Sequence, residues 1–114
     1  MKLTEIAFFT EHVSQMTDFY RRLLGVEPVA RSESMAIFLL DDTKIFIHQT
    51  YAPGDGELPP ENHHAIAVQD VDRVCEELRQ RGLRLEILPQ DYYWGRSAYL
   101  RDPDGHLLEI TNEK

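Results

Sequence analysis

One order of elements runs through this sequence twice, and that duplication restricts the possible folds more than any other feature. Apolar residues at Leu3, Ile6, Phe8 and Phe9 mark a strand over Lys2–Phe9. The period then lengthens: Val13, Met16, Tyr20, Leu23 and Leu24 recur at helical spacing, and Gly25 closes the helix. Strands are expected over Glu27–Ala30, Met35–Leu40 and Lys44–Thr50, with Asp41-Asp42-Thr43 turning the chain between the last two. After a Pro- and Gly-rich linker, Ala52–Asn62, the order restarts. Ala65–Val68 reads as a strand. Val71, Val74, Cys75 and Leu78 form a helical stripe, capped by Asp70 and stopped by Gly82. Strands follow at Leu83–Leu88, Ser97–Leu100 and His106–Thr111. The last two flank Asp102-Pro103-Asp104-Gly105, the residues of a type I turn. Each half of about 50 residues thus reads strand, helix, strand, strand, strand. A repeat of that size predicts two copies of one unit sharing a core. The expected fold is α+β, a single domain over residues 1–114. Module one covers 1–51, the linker 52–62 and module two 63–114.

The chemical setting follows from composition. A 42% hydrophobic and 28% charged chain is an ordinary globular one. Twenty acidic residues against twelve basic ones give a formal charge of −8, which argues against nucleic acid and anionic membranes as partners. A single cysteine, Cys75, excludes an intrachain disulfide and suits a reducing compartment. With no signal pattern and no long apolar run, the expected location is the cytoplasm.

The repeat gives meaning to four polar residues. Glu5 lies eight residues before Val13, and His63 eight before Val71, so each opens the first strand of its half. His48 falls in the fourth strand of module one, and Glu109 in the fourth strand of module two. A carboxylate inside a strand costs several kcal/mol unless something pairs with it. If the halves pack about a pseudo-twofold axis, Glu5, His48, His63 and Glu109 converge. Two imidazoles and two carboxylates suit a divalent ion such as Zn, Ni, Mn, Co or Fe(II).

Three stretches then carry a resemblance. They are Asp18-Phe19-Tyr20 followed by Leu24-Gly25, the run from His63 to Val71, and Arg101-Asp102-Pro103-Asp104-Gly105 ending at Glu109. Together they resemble the vicinal oxygen chelate superfamily of glyoxalase I, bleomycin-resistance proteins, fosfomycin-resistance enzymes and extradiol dioxygenases. The resemblance implies paired βαβββ modules forming an open, curved sheet around a cleft, and a homodimer. It also implies a metal bound by Glu5, His48, His63 and Glu109; a register slip of one would put Ile47 in the place of His48 and cost the site a ligand. The implied chemistry is that of a lyase or isomerase. Two adjacent substrate oxygens chelate the metal, and Glu109, the favoured base, or Glu5 moves a proton on the neighbouring carbon. Where glyoxalase I carries a basic residue and an Asn for glutathione, this chain has Phe9 and Ala52. The expected small-molecule substrate is therefore not a glutathione adduct.

Tyr92-Tyr93-Trp94-Gly95-Arg96 is expected to form an aromatic loop beside the cleft. Tyr92, Trp94, Arg96 and Phe9 are the candidate pocket residues; Arg96 and Arg101 are also weighed for a substrate anion, with solvated surface arginines the favoured reading. Such a loop in an acidic protein also fits another class, a non-catalytic binder of a planar cationic ligand, as in bleomycin resistance. Metal content separates the two.

Overall fold

The computed structural model describes residues 1–54 and 60–113. Among the described residues, eight strands and two helices give an α+β fold of two βαβββ modules. The chain divides into two compact units, Glu5–Asn62, and Met1–Thr4 with His63–Lys114. Residues 55–59 of the expected linker, Gly56 and Pro59 among them, lie outside the described residues.

The unit over Glu5–Asn62 contains most of β1 (Lys2–Thr10), then α1 (Val13–Leu24), β2 (Ala30–Arg31), β3 (Met35–Leu40) and β4 (Thr43–Gln49). Its strands run in the order β2-β3-β4-β1, with β1 parallel to β4. The apolar stripe of α1 covers one face of these strands. Val13 packs with Ala36, Phe38, Ile45 and Ile47, and Met16, Tyr20 and Leu24 lie against them. Gly25 ends α1 as expected, with φ 72° and its N–H donated to Arg21 O. The expected strand at Glu27–Ala30 is only two residues long and starts later, at Ala30. Pro28, which has no amide to give a ladder, precedes it.

The other unit holds β5 (His63–Val68), α2 (Val71–Gln80), β6 (Leu85–Tyr92), β7 (Gly95–Arg101) and β8 (Leu107–Asn112). The order is β5-β8-β7-β6, with β5 parallel to β8 and the other pairs antiparallel. Asp70 caps α2 by accepting the Arg73 N–H. Val71, Cys75 and Leu78 of α2 pack on Val68, Ala98, Leu100 and Ile110. Each unit therefore has its own core, under its own helix. One amphipathic helix suffices to cover one face of four short strands.

Two features of this unit place its site. The Asp102–Gly105 turn forms as expected: Gly105 N–H donates to Asp102 O at 2.9 Å, and Asp102 Oδ1 accepts from Asp104 N and His106 N. The aromatic segment, however, is not a loop. β6 continues through Pro89 to Tyr92, β7 begins at Gly95, and Tyr92 pairs with Gly95 across a two-residue turn of Tyr93 and Trp94. Pro89 is tolerated there because β6 is an edge strand whose ladder is interrupted between Ile87 and Gln90.

Candidate metal centre

Strand register sets the first pair of side chains. His63 opens β5 opposite Leu107, and Glu109 lies opposite Ala65, two residues on. Side chains alternate along a strand, so His63, Ala65, Leu107 and Glu109 share one face, while Val68 and Ile110 turn to α2. The diagonal brings His63 Nε2 to 3.4 Å from Glu109 Oε1. On the neighbouring strand, Ser97 and Tyr99 face the same way.

Glu109 is only 5% exposed, so its charge needs compensation. Its second oxygen, Oε2, accepts from Ser97 Oγ at 2.7 Å and from the Trp94 indole N–H at 3.1 Å. Ser97 Oγ also lies 3.0 Å from Thr111 Oγ1. Burial pushes the Glu109 carboxyl up, but the bonds from His63, Ser97 and Trp94 outweigh it and hold the group below the usual range. A row of rings borders the pair. His63 meets the edge of Tyr99, Tyr99 meets Tyr92, and Tyr92 stacks on Trp94 at 4.4 Å and 7°.

Glu5 and His48 belong to the other unit, and there the structure departs from expectation. Glu5 is opposite Lys44 on β4, whereas His48 is opposite Phe9. His48 shares the face of Glu5 but sits four residues beyond its partner, roughly 13 Å along the strand. Its Nδ1 bonds Gln49 O at 2.7 Å, and its ring lies among Phe9, Phe46 and Tyr51. Ile47 is no substitute, because it faces the α1 core and is fully buried. The reason is register. In the second module Glu109 pairs with the residue two past His63. The same step from Glu5 leads to Ala7, whose partner is Phe46. Phe46 occupies the place that matches Glu109, and His48 is one same-face step too far.

The candidate pocket residues also separate. Tyr92 and Trp94 stand beside Glu109 through their own stack and the indole bond. Phe9 packs its ring on His48 and Tyr51. Arg96 is not offered to a substrate. Its guanidinium binds both oxygens of Asp72, at 2.6 and 2.9 Å, and Asp91 Oδ1 at 3.0 Å. These partners raise its pKa further, led by Asp72. Alternation explains the difference: Ser97 faces Glu109, so Arg96 faces away. Ser97 was not singled out from the sequence, although a small polar residue in line with apolar Tyr99 is the available signal.

No helix among the described residues is long and apolar enough to cross a membrane. Comparison with known proteins agrees with this architecture. The chain is 25% identical to the phenazine antibiotic resistance protein EhpR of Enterobacter agglomerans, over 90% of this chain and 84% of that one. It is 26% identical to the metallothiol transferase FosB of Shouchella clausii, over 95% and 77%. The crystal structure of methylmalonyl-CoA epimerase from Mycobacterium tuberculosis has the same fold, with a TM-score of 0.70 at 19% identity, over 99% of this chain and 88% of that one. A family model, Glyoxalase/Bleomycin resistance protein/Dioxygenase superfamily, matches residues 2–110, and the chain belongs to that superfamily.

Proposed function

We propose that the protein is a metal-dependent lyase or isomerase of the glyoxalase type, which moves a proton on the carbon beside a carbonyl. The observation that carries this reading is the 3.4 Å separation of His63 Nε2 and Glu109 Oε1, with Oε2 held by other donors. Two atoms each about 2.1 Å from a tetrahedrally coordinated ion stand about 3.4 Å apart, so this pair fits a common cation as it is. Glu5, which opens the first strand of its half of the repeat as His63 opens that of the other, is the third member of the donor set we propose, Glu5, His63 and Glu109. One imidazole and two carboxylates suit Zn, Ni, Mn, Co or Fe(II). Once bound, such an ion acts as a Lewis acid toward two adjacent substrate oxygens.

The two carboxylates of the donor set then divide the work. Glu109 is buried and has both oxygens engaged, which suits it to holding. That leaves Glu5 to take and return the proton, a reversal of the sequence-based preference for Glu109 as base. Phe9 stands in place of the basic residue that receives glutathione, which favours a small oxygen-chelating substrate of another kind. A homodimeric state and a cytoplasmic place of action belong to the same reading.

The test is metal analysis joined to solvent-deuterium exchange. The purified protein should hold a tight divalent ion and wash deuterium into 2-hydroxycarbonyl compounds. Chelation should abolish the exchange. Glu5→Gln should lower the exchange of the metal-loaded protein about 100-fold or more, beyond any loss of metal affinity. Exchange that persists in full after chelation ends the reading. The likeness to EhpR and the Tyr92–Trp94 stack favour one other reading, sequestration of a planar cationic ligand. Metal-free protein whose Trp94 emission is quenched by such a ligand would support that instead.

A further inference from the structure

We propose that Trp94 is a positioning residue: its indole N–H pins one oxygen of Glu109, so that Glu109 offers a metal a single oxygen, Oε1. The proposal rests on the metal reading above and concerns residues that touch the ligand, not the ion. Glu109 Oε2 takes the Trp94 N–H at 3.1 Å and the Ser97 hydroxyl at 2.7 Å. Both donors lie on the side away from His63, which meets Oε1. A carboxylate oxygen with two donors already aimed at it is a poor second ligand atom. Bidentate binding would break both bonds inside a buried site.

The indole is itself held. Tyr92 stacks on its face at 4.4 Å, and Tyr93 meets it edge-on at 4.8 Å. The turn that carries it is closed by the Tyr92–Gly95 pair and tied to β8 by the Arg96 N–H, which donates to Asn112 Oδ1 at 2.7 Å. Gly95 permits that bond: its φ is 140°, and a Cβ there would lie 2.5 Å from the same Asn112 oxygen. On the opposite face of β7, the Arg96 side chain clasps Asp72 of α2. The hairpin tip is thus tied through its backbone to β8 and through Arg96 to α2, and the stacked indole it carries is the group bonded to Glu109. Groups in this position commonly change metal affinity 10- to 100-fold.

The experiment uses the whole protein and Co²⁺ as the probe. Wild type and Trp94→Phe are stripped with chelator and titrated with Co²⁺, and the visible absorption bands are followed. Competition with a chelator gives the affinity. Trp94→Phe keeps a ring in the stack and loses the N–H. It should bind Co²⁺ about 10- to 100-fold more weakly, and its bands should shift and lose intensity as Oε2 joins the ion. In wild type, emission from Trp94, the chain's single tryptophan, should change on loading. If Trp94→Phe does not fold, Ser97→Ala removes the other donor to the same oxygen and carries the same expectation. Affinity and bands equal to wild type would make Trp94 a packing residue and overturn the inference. A wild type that binds no Co²⁺ would overturn it too, but by sinking the metal reading, which the wild-type titration reveals by itself.

Discussion

A buried carboxylate is stable here only because each oxygen has a named partner. Burial alone would push Glu109 toward its neutral form, and the donors of His63, Trp94 and Ser97 reverse that balance. The backbone that delivers the indole is as demanding as the bonds. At Gly95 the φ of 140° lies in a region that L side chains rarely adopt. Gly95→Ala should therefore strain the turn and displace Asn112 from the Arg96 amide. The expected cost is about 1–3 kcal/mol of stability, read as a lower urea midpoint with an unchanged slope. A variant with the wild-type midpoint would mean that the hairpin tip can take another shape without loss.

At the scale of elements, what the sequence revealed and what it hid have separate causes. Both helices were legible because their apolar stripes recur at helical spacing and a glycine follows each one: Gly25 at 72° and Gly82 at 87°. The Asp70 cap was legible for the same local reason. Asp70→Ala should remove the bond to Arg73 N–H and cost about 1 kcal/mol in urea unfolding, and Asp70→Ser should recover most of it. Register was not legible. Counting strands put His48 level with Glu109, but strand order does not say which residues stand opposite. A two-residue step along β4 separates Phe46 from His48. The β6–β7 hairpin was hidden too. Tyr93-Trp94 has none of the usual two-residue turn signals, and a strand interior rarely holds a proline such as Pro89. His63 and Glu109 stood out in the sequence by their places in the repeat, in the first and the fourth strand of module two, and the register of β5 and β8 puts both on one face. Ser97, which bonds Glu109, had a fainter signal: it is a small polar residue two positions before apolar Tyr99.

For the molecule as a whole, the excess of acid over base makes pH the most telling variable. Asp72 is held below the usual aspartate range by the bonds from Arg96, Asp18 by the bond from Arg21, and Asp102 by the backbone N–H and ring of His106. All three shifts have one sign. The folded state gives up these protons more readily than the unfolded chain, so the unfolded state binds more protons in the window between the two pKa values. Stability from these groups is thus fully present above the unfolded aspartate value, about 4, and is lost as pH falls through the folded values. The urea midpoint should be level from pH 8 to 5 and drop below about pH 4. Asp72→Asn should flatten that acid limb, because the amide cannot titrate, while leaving Arg96 to Asp91. The pairs are partly exposed, so added salt should shrink the effect as well. Solubility follows a different curve: the net charge of −8 vanishes near pH 5, and self-association should peak there, above the acid limb. Turbidity and urea midpoints measured over one pH series separate the two. A midpoint that rises as pH falls from 5 to 3 would mean that the acidic surface repels itself more strongly than these ion pairs attract, and the sign assigned to them would be wrong for the molecule as a whole.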